Sequence, residues 1–185
     1  MTVPASAWLV VIDMQEVFGD PASEWATPRF AEASESIARL LPAFPGRTVF
    51  TRFVAPERPF GSWVPYYRRW PFALVPPDAG IWRITEDLPV RDSPVVTAST
   101  FGKWNADLAA AVGHSRELVL AGVSTDCCVL STALAAADAG CSVQVVADAC
   151  AGLTDADHQR ALAAMALYEP LIRITSVAEV LGEGA

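Results

Sequence analysis

Two adjacent cysteines, Cys127 and Cys128, follow an apolar run at 117–123 and begin a segment with helical spacing. This pattern predicts a buried strand, a tight turn and a helix in direct succession, with Ser124 or Thr125 as the helix cap. A thiol in the first turn of a helix faces unpaired backbone N–H groups and the positive end of the helix dipole. Both favour the thiolate, so the sequence predicts a cysteine nucleophile with a lowered pKa.

Lys103 is the only lysine in the chain. Among the lysine and arginine residues, all the others are arginine. It follows the strand-like segment 94–98 and precedes a helix predicted to begin near Asn105. An ammonium group acts as a point charge beside a thiolate or a carboxylate, whereas a guanidinium prefers planar, bidentate partners. The composition therefore suggests that Lys103 has a chemical role. The alternative is that Lys103 is an ordinary surface lysine.

Asp13 ends a continuous apolar run at 8–12. In a parallel α/β sheet, ligands bind beyond the carboxyl ends of the strands. Asp13, Lys103 and Cys128 each lie at or just past the end of a predicted strand, so we expect them to converge at one edge of the sheet. Taken alone, Asp13 also fits an ordinary helix N-cap.

The distribution of apolar residues predicts alternating strands and helices. Such alternation is typical of a parallel sheet covered on both faces. We therefore expect one three-layer α/β/α domain over residues 1–185, with a six-stranded, mainly parallel sheet. The predicted strands lie near 8–13, 47–54, 93–98, 117–123, 142–147 and 171–175, and the helices near 30–42, 104–113, 126–139, 155–168 and 177–181.

The net charge of −8 argues against nucleic acid or an anionic membrane as a partner. The apolar run near the start of the sequence is too short for a secretory signal and has no positive residues before it. The four cysteines show neither a disulfide framework nor metal-ligand spacing. We therefore expect a cytoplasmic protein with reduced thiols.

Three sequence blocks together resemble the cysteine hydrolase branch of the isochorismatase-like hydrolases, which includes nicotinamidases, N-carbamoylsarcosine amidases and isochorismatases. The blocks are VVIDMQ at 10–15, GVSTDCCV at 122–129, and VVADACAG at 145–152 followed by His158. The second block is the most specific of the three. The resemblance implies a Rossmann-like fold and an Asp-Lys-Cys triad, with Asp13 as the aspartate and Cys128 as the nucleophile.

The resemblance places the family lysine near Thr97 or Ala98, whereas Lys103 stands five residues beyond Ala98. Lys103 would complete the triad only if its loop folds back over the strand ends. The resemblance also implies a non-proline cis peptide bond before Ser124, and an oxyanion hole formed by the backbone N–H groups of Ser124 and Cys128.

Metal-binding relatives, the nicotinamidases, carry an Asp-x-His motif after the second strand, which this sequence lacks. We therefore expect no metal and no other cofactor. The segment from Arg52 onward is rich in aromatic residues and arginine, and it predicts substrate contacts from Arg52, Trp63, Tyr67 and Trp70. A small planar or carboxylate-bearing amide would suit such a wall, with Arg52 as an anchor. The same residue types also favour a subunit interface, and the resemblance suggests a homodimer or homotetramer.

The sequence thus predicts a hydrolase that cleaves the C–N bond of a small linear or cyclic non-peptide amide through a thioester. Asp13 would be the general base, and Lys103 would stabilise the thiolate. Three alternatives remain at this point. The protein could hydrolyse a vinyl ether with Asp13 and without the thiol, as isochorismatases do; it could use Cys127 and Cys128 as a redox pair; or it could be an inactive binding or assembly subunit.

Overall fold

Six strands form one sheet in the computed structural model, which describes residues 4–183. The strands are β1 (Trp8–Ile12), β2 (Thr48–Phe53), β3 (Val95–Ala98), β4 (Glu117–Val123), β5 (Ser142–Ala151) and β6 (Ile172–Thr175). Their order is β3-β2-β1-β4-β5-β6, and every pair of neighbours is parallel. This is the strand order of the Rossmann fold, and the predicted α/β class is confirmed.

Seven α-helices lie within residues 4–183, and none of them is both long and apolar enough to cross a membrane. A π-helical turn over Thr125–Val129 precedes the fifth helix. The helices are α1 (Glu16–Gly19), α2 (Phe30–Leu40), α3 (Trp63–Arg69), α4 (Ala106–Ala111), α5 (Leu130–Asp138), α6 (Asp155–Ala166) and α7 (Val177–Leu181).

The two faces of the sheet bury separate hydrophobic clusters, because successive side chains of a strand point to opposite faces. On β1, Leu9 and Val11 belong to the cluster that includes residues of α2 and α7. Val10 and Ile12 belong to the second cluster, which includes residues of α4, α5 and α6. The sheet is therefore covered on both sides, as its continuous apolar strands predict.

The strand order reverses between β1 and β4, and these two strands approach each other closely at Gly122. Gly122 has a φ of 124°, and a Cβ atom there would overlap the carbonyl oxygen of Ile12 and lie 2.8 Å from its nitrogen. Only glycine fits at this position. Ligands of open α/β sheets bind in the crevice at such a reversal, so the topology directs attention to the ends of β1 and β4.

The structure differs from the sequence predictions in four elements. Strand β5 continues to Ala151 because its pairing with β4 is irregular: Leu120 pairs with Val145, whereas Gly122 pairs with Cys150. The predicted helix at 126–139 begins instead as the π-helical turn. The predictions contain neither α1, which is a single turn of four residues, nor α3, which contains a proline and several aromatic residues and depends on packing against the rest of the protein.

Candidate active site

Asp13 lies directly after β1 and is completely buried. Its φ of 49° places it in the left-handed region, which aspartate tolerates better than most residues. Thr51 on the adjacent strand β2 holds this conformation: its Oγ1 donates to Asp13 Oδ1 at 2.6 Å and accepts from the Asp13 N–H at 3.2 Å. Sequence analysis did not identify Thr51, although its place on the strand next to β1 is the signal that could have done so.

Lys103 lies beside Asp13. Its Nζ is 2.9 Å from Asp13 Oδ2, and neither side chain is exposed to solvent. The Nζ also donates to the carbonyl oxygen of Thr100 and lies 4.9 Å from the centre of the Phe53 ring. The loop after β3 therefore folds back over the strand ends. This path brings Lys103 to Asp13 although Lys103 lies five residues beyond Ala98, where the resemblance places the lysine.

Thr132 on α5 connects the lysine loop to the cysteine turn. Its Oγ1 accepts from the backbone N–H of Lys103 at 2.9 Å and donates to the carbonyl oxygen of Cys128 at 2.6 Å. Thr132 is fully buried. Both elements are thus positioned by one hydroxyl group, which the sequence pattern gave no reason to single out.

Gln15 links the segment after β1 to the end of β2 and to the loop that contains Trp82. Its amide nitrogen donates to the carbonyl oxygens of Phe53 and Trp82, at 2.9 and 2.8 Å, and its amide oxygen accepts from the Phe53 N–H at 2.7 Å. Gln15 belongs to the VVIDMQ block, but its role follows only from the structure. It positions Phe53, which forms part of the cavity wall described below.

Cys128 lies in the π-helical turn after β4, with only 3% of its surface exposed. The peptide bond between Val123 and Ser124 is cis. The carbonyl oxygen of Ser124 accepts from the N–H groups of Cys127 and Val129, at 3.2 and 3.1 Å. Ser124 occupies the N-cap position, but its hydroxyl donates to an acidic side chain of the turn instead of capping the backbone.

The electrostatics of Cys128 differ from the sequence expectation. Burial raises the pKa of its thiol well above the usual range, and the Asp13 carboxylate raises it further by its charge and by hydrogen bonding. The Lys103 ammonium lowers the pKa but does not offset these two effects. The expected lowering is therefore wrong for the resting protein: a buried thiol next to a carboxylate stays neutral even at the start of a helix.

Asp126 links the cysteine turn to the segment after β5. Its Oδ1 accepts from the Ser124 hydroxyl at 2.8 Å and from the Leu153 N–H at 3.0 Å. A Cβ atom at Gly152 would lie 2.8 Å from the same oxygen, so glycine leaves room for this contact. Burial and then Asp126 raise the pKa of the neighbouring Cys127 thiol to about 11.

His158 on α6 supports the same turn. Its Nδ1 lies 2.8 Å from the Thr125 hydroxyl, and both side chains are buried. Burial lowers the pKa of His158, and the positive charge of Arg29 lowers it further. A neutral imidazole that holds Thr125 is consistent with a role in positioning the turn.

A cavity of about 360 Å³ opens at this edge of the sheet, and Cys128 lies in its wall. Asp13 and Lys103 lie behind Cys128 and do not line the cavity. Six of the thirteen lining residues are aromatic. The complete set is Phe18, Glu24, Trp25, Thr27, Phe53, Tyr66, Trp70, Phe101, Ser124, Asp126, Cys127, Cys128 and Leu153.

Of the four residues predicted to contact substrate, the structure places only Trp70 in the cavity wall. Tyr66 lies four residues earlier, on the same side of α3, and also lines the cavity. Tyr67 points into the hydrophobic core instead, and Trp63 stacks on Tyr67 with ring centres 6.0 Å apart. The helical geometry of α3, absent from the sequence prediction, accounts for this difference.

Arg52, the fourth of these residues, does not line the cavity. Its Nε donates to Thr97 on the neighbouring strand at 3.3 Å. Successive residues of β2 point to opposite faces, so Arg52 is directed away from the side taken by Thr51 and Phe53. The prediction that Arg52 anchors a substrate carboxylate in this cavity is therefore wrong.

Within residues 4–183, no three His, Cys, Asp or Glu side chains lie close enough together to hold a metal ion. The four cysteines all carry free thiols. Cys128 thus brings a thiol to the cavity wall, while the Asp13 carboxylate and the Lys103 ammonium group lie buried behind it.

Comparison with known proteins relates this chain to isochorismatase-like proteins. A family model described as "Isochorismatase domain" matches residues 7–179. The chain is 46% identical to "Isochorismatase domain-containing protein 2" of Xenopus laevis over 50 residues, which span 27% of this chain and about a quarter of the relative's length, 24%.

Solved structures share the fold at low sequence identity. A cysteine hydrolase from Pseudomonas syringae pv. phaseolicola 1448A superimposes with a TM-score of 0.82 at 18% identity, over 96% of this chain and 92% of that one. An isochorismatase-like hydrolase from Alkaliphilus metalliredigens also gives 0.82, at 19% identity, over 95% of this chain and 97% of that one.

Proposed function

Because the chain belongs to the isochorismatase domain family, we propose that it is a cysteine hydrolase that cleaves the C–N bond of a small non-peptide amide. The proposal rests chiefly on one observation: a completely buried Asp13–Lys103 ion pair lies behind Cys128, the thiol that borders the cavity. A carboxylate and a thiol so placed suit proton transfer and nucleophilic attack on the same substrate.

The first half of the reaction forms a thioester. Asp13 accepts the proton of the Cys128 thiol while the sulfur attacks the amide carbonyl carbon. The backbone N–H groups of Ser124 and Cys128 hold the resulting oxyanion. Asp13 then returns the proton to the nitrogen as the C–N bond breaks, and the amine or ammonia leaves.

The second half releases the acid. Asp13 accepts a proton from water, whose oxygen attacks the thioester carbonyl. The C–S bond breaks, and the proton returns to the sulfur, so that the products are a carboxylic acid and the neutral thiol. Lys103 stabilises negative charge on Asp13 and on the sulfur through both steps, and Thr51 orients the carboxylate.

The raised pKa of Cys128 is consistent with this sequence. A neutral thiol needs a base at the moment of attack, and Asp13 is the carboxylate that raises its pKa. A redox role for Cys127 and Cys128 is less consistent, because thiol–disulfide exchange requires thiolates and burial raises the pKa of both.

The test is amide hydrolysis by the purified protein, measured as ammonia release from a panel of small primary amides. We expect Cys128→Ala to lose at least about 1,000-fold in kcat/KM, as when a nucleophile that acts with its partners is removed. Cys141→Ala removes a buried thiol from the second hydrophobic cluster and is expected to keep the activity. Ammonia release that survives Cys128→Ala would contradict the thioester. Hydrolysis of a vinyl ether that survives Cys128→Ala, with no ammonia release from any amide by the unchanged protein, would favour the alternative that uses Asp13 without the thiol.

A further inference from the structure

The wall of the cavity is built mainly from aromatic rings that pack against one another. Trp25 lies at the centre: its ring centre is 6.0 Å from that of Tyr66, 6.4 Å from Trp70 and 5.8 Å from Phe53. Phe101 continues the wall, 6.3 Å from Phe53. Each ring is held by its neighbours, so the wall offers a preformed apolar surface rather than flexible side chains.

The charged groups of the wall are acidic. Among the described residues that line the cavity, Glu24 and Asp126 are the only side chains that carry a formal charge at neutral pH, apart from any thiolate. Burial, followed by the charges of Tyr67 and the two thiols, raises the pKa of Tyr66, so its phenol is a neutral hydrogen-bonding group.

The nearby basic side chains do not change this balance. Lys103 is paired with Asp13 behind the cysteine. The Arg69 guanidinium lies 5.1 Å from the centre of the Trp70 ring, but Arg69 is exposed and is not part of the wall. A substrate carboxylate inside the cavity would therefore find aromatic rings and two acidic groups in place of a cation.

We propose that this cavity selects uncharged amides bearing an aromatic ring or another apolar group, and that it excludes amides carrying a second, anionic group. This inference rests on the proposed hydrolysis at Cys128. A volume of about 360 Å³ lies within the range of small-molecule sites, so the cavity has room for an aromatic ring and its amide. A buried carboxylate without a cationic partner is strongly disfavoured.

The test compares two probes of nearly equal shape, 4-methylbenzamide and 4-carboxybenzamide. Their binding to the Cys128→Ala variant is measured from the change in intrinsic tryptophan fluorescence, to which Trp25 and Trp70 in the cavity wall contribute. Because this variant lacks the nucleophile, binding is read without turnover. We expect the methyl compound to bind at least about tenfold more tightly. Equal affinities, tighter binding of the carboxylate, or no binding of the methyl compound would overturn the inference.

A charge reversal at the cavity checks the physical reason. Glu24→Arg, in the Cys128→Ala background, is expected to reduce the preference for the methyl compound at least about threefold. Glu35→Arg makes the same change of net charge on the exposed surface of α2 and is expected to leave the preference unchanged. A preference that shifts equally in both variants, or in neither, would contradict exclusion by the acidic wall.

Turnover by the wild-type protein separates the inference from the proposed function. Selective binding without any amide hydrolysis would overturn the proposed function and leave the selectivity of the cavity standing. Hydrolysis that depends on Cys128 but is faster for 4-carboxybenzamide would overturn the inference and leave the hydrolase standing.

Discussion

Lys103 Nζ lies 2.9 Å from Asp13 Oδ2, although 90 positions separate the two residues in the chain and both side chains are inaccessible to solvent. The pair forms because β1 and β3 are parallel strands of one sheet whose carboxyl ends lie at the same edge, and because the loop after β3 turns back. Burying two charges costs free energy, so a buried ion pair adds little to the stability of a protein. Such pairs occur often at functional sites, where their charges serve the chemistry.

Breaking this ion pair should destabilise the protein. Lys103→Met leaves the Asp13 charge buried without its partner, and we expect the free energy of unfolding to fall by about 3–5 kcal/mol. Urea denaturation measures the loss. The double variant Asp13→Asn/Lys103→Met removes both charges and should recover part of the stability. A loss below about 1 kcal/mol in the single variant would contradict the burial of the pair.

The hydroxyl of Thr132 should matter for both stability and activity. Thr132→Val keeps the shape but leaves the Lys103 N–H without its acceptor, and we expect a cost of about 1–3 kcal/mol together with a lower kcat/KM. Thr132→Ser retains the hydroxyl and should restore most of the activity. Equal activities of the two variants would show that this hydroxyl does not position the cysteine turn.

Gly122 should tolerate no side chain. Gly122→Ala forces a Cβ atom into the backbone of β1, so we expect a loss above about 4 kcal/mol or no folded protein. Gly113→Ala is the matched control, since Gly113 also has a positive φ but has nothing within 4 Å of its Cβ position. Its expected cost is about 1–2 kcal/mol. Thermal unfolding distinguishes the two, and similar melting temperatures would contradict the close approach of β1 and β4.

Trp63, the first residue of α3, and Trp70, which follows the last, should behave differently. Trp70 lines the cavity, so Trp70→Leu is expected to raise KM for aromatic amides several-fold. Trp63 packs against Phe101, with ring centres 5.1 Å apart, and does not line the cavity. Trp63→Leu should therefore lower the melting temperature more than it raises KM. Steady-state kinetics and thermal unfolding of both variants give the comparison.

The sequence predicts the six strands and five of the seven helices in the part of the chain that the structure describes, because these follow from local patterns of apolar residues. The expected position of Asp13 and Cys128 at one edge follows from the parallel sheet that those elements form. An apolar strand that ends in a polar residue predicts both the strand and the position of that residue at the sheet edge. Lys103 was harder to place, since the path of its loop depends on contacts with Thr100 and Thr132 that no spacing encodes.

The cavity wall was predicted less well, because it depends on which side of an unpredicted helix faces the site. Aromatic residues are dense in this part of the sequence, so composition alone could not distinguish Tyr66 from Tyr67. The pKa of Cys128 was misjudged for a related reason: the helix terminus is visible in the sequence, whereas the depth of burial and the adjacent carboxylate are not.

If Asp13 activates a neutral Cys128 thiol, the ionisation of that thiol should depend on the Asp13 charge. The measurement we would make first is the rate at which iodoacetamide alkylates Cys128, as a function of pH. The rate is followed by peptide mass spectrometry in a Cys127→Ser background, which removes the neighbouring thiol. A free cysteine ionises at a pKa of about 8.5. Because the pKa of Cys128 is raised, its thiol stays protonated at pH values where a free cysteine has ionised. Alkylation should therefore be slow at pH 8 and should still be rising above pH 9.

Asp13→Asn supplies the decisive comparison. The variant removes the negative charge and keeps Lys103, so the pKa of Cys128 should fall; a fall of one unit raises the thiolate fraction at pH 8 about tenfold. Thr51→Val disturbs the same carboxylate without removing its charge and controls for loosening of the site. We expect faster alkylation and no amide hydrolysis in Asp13→Asn. A wild-type thiol that titrates below about 8.5, with slower alkylation in Asp13→Asn, would contradict activation of a neutral thiol by Asp13.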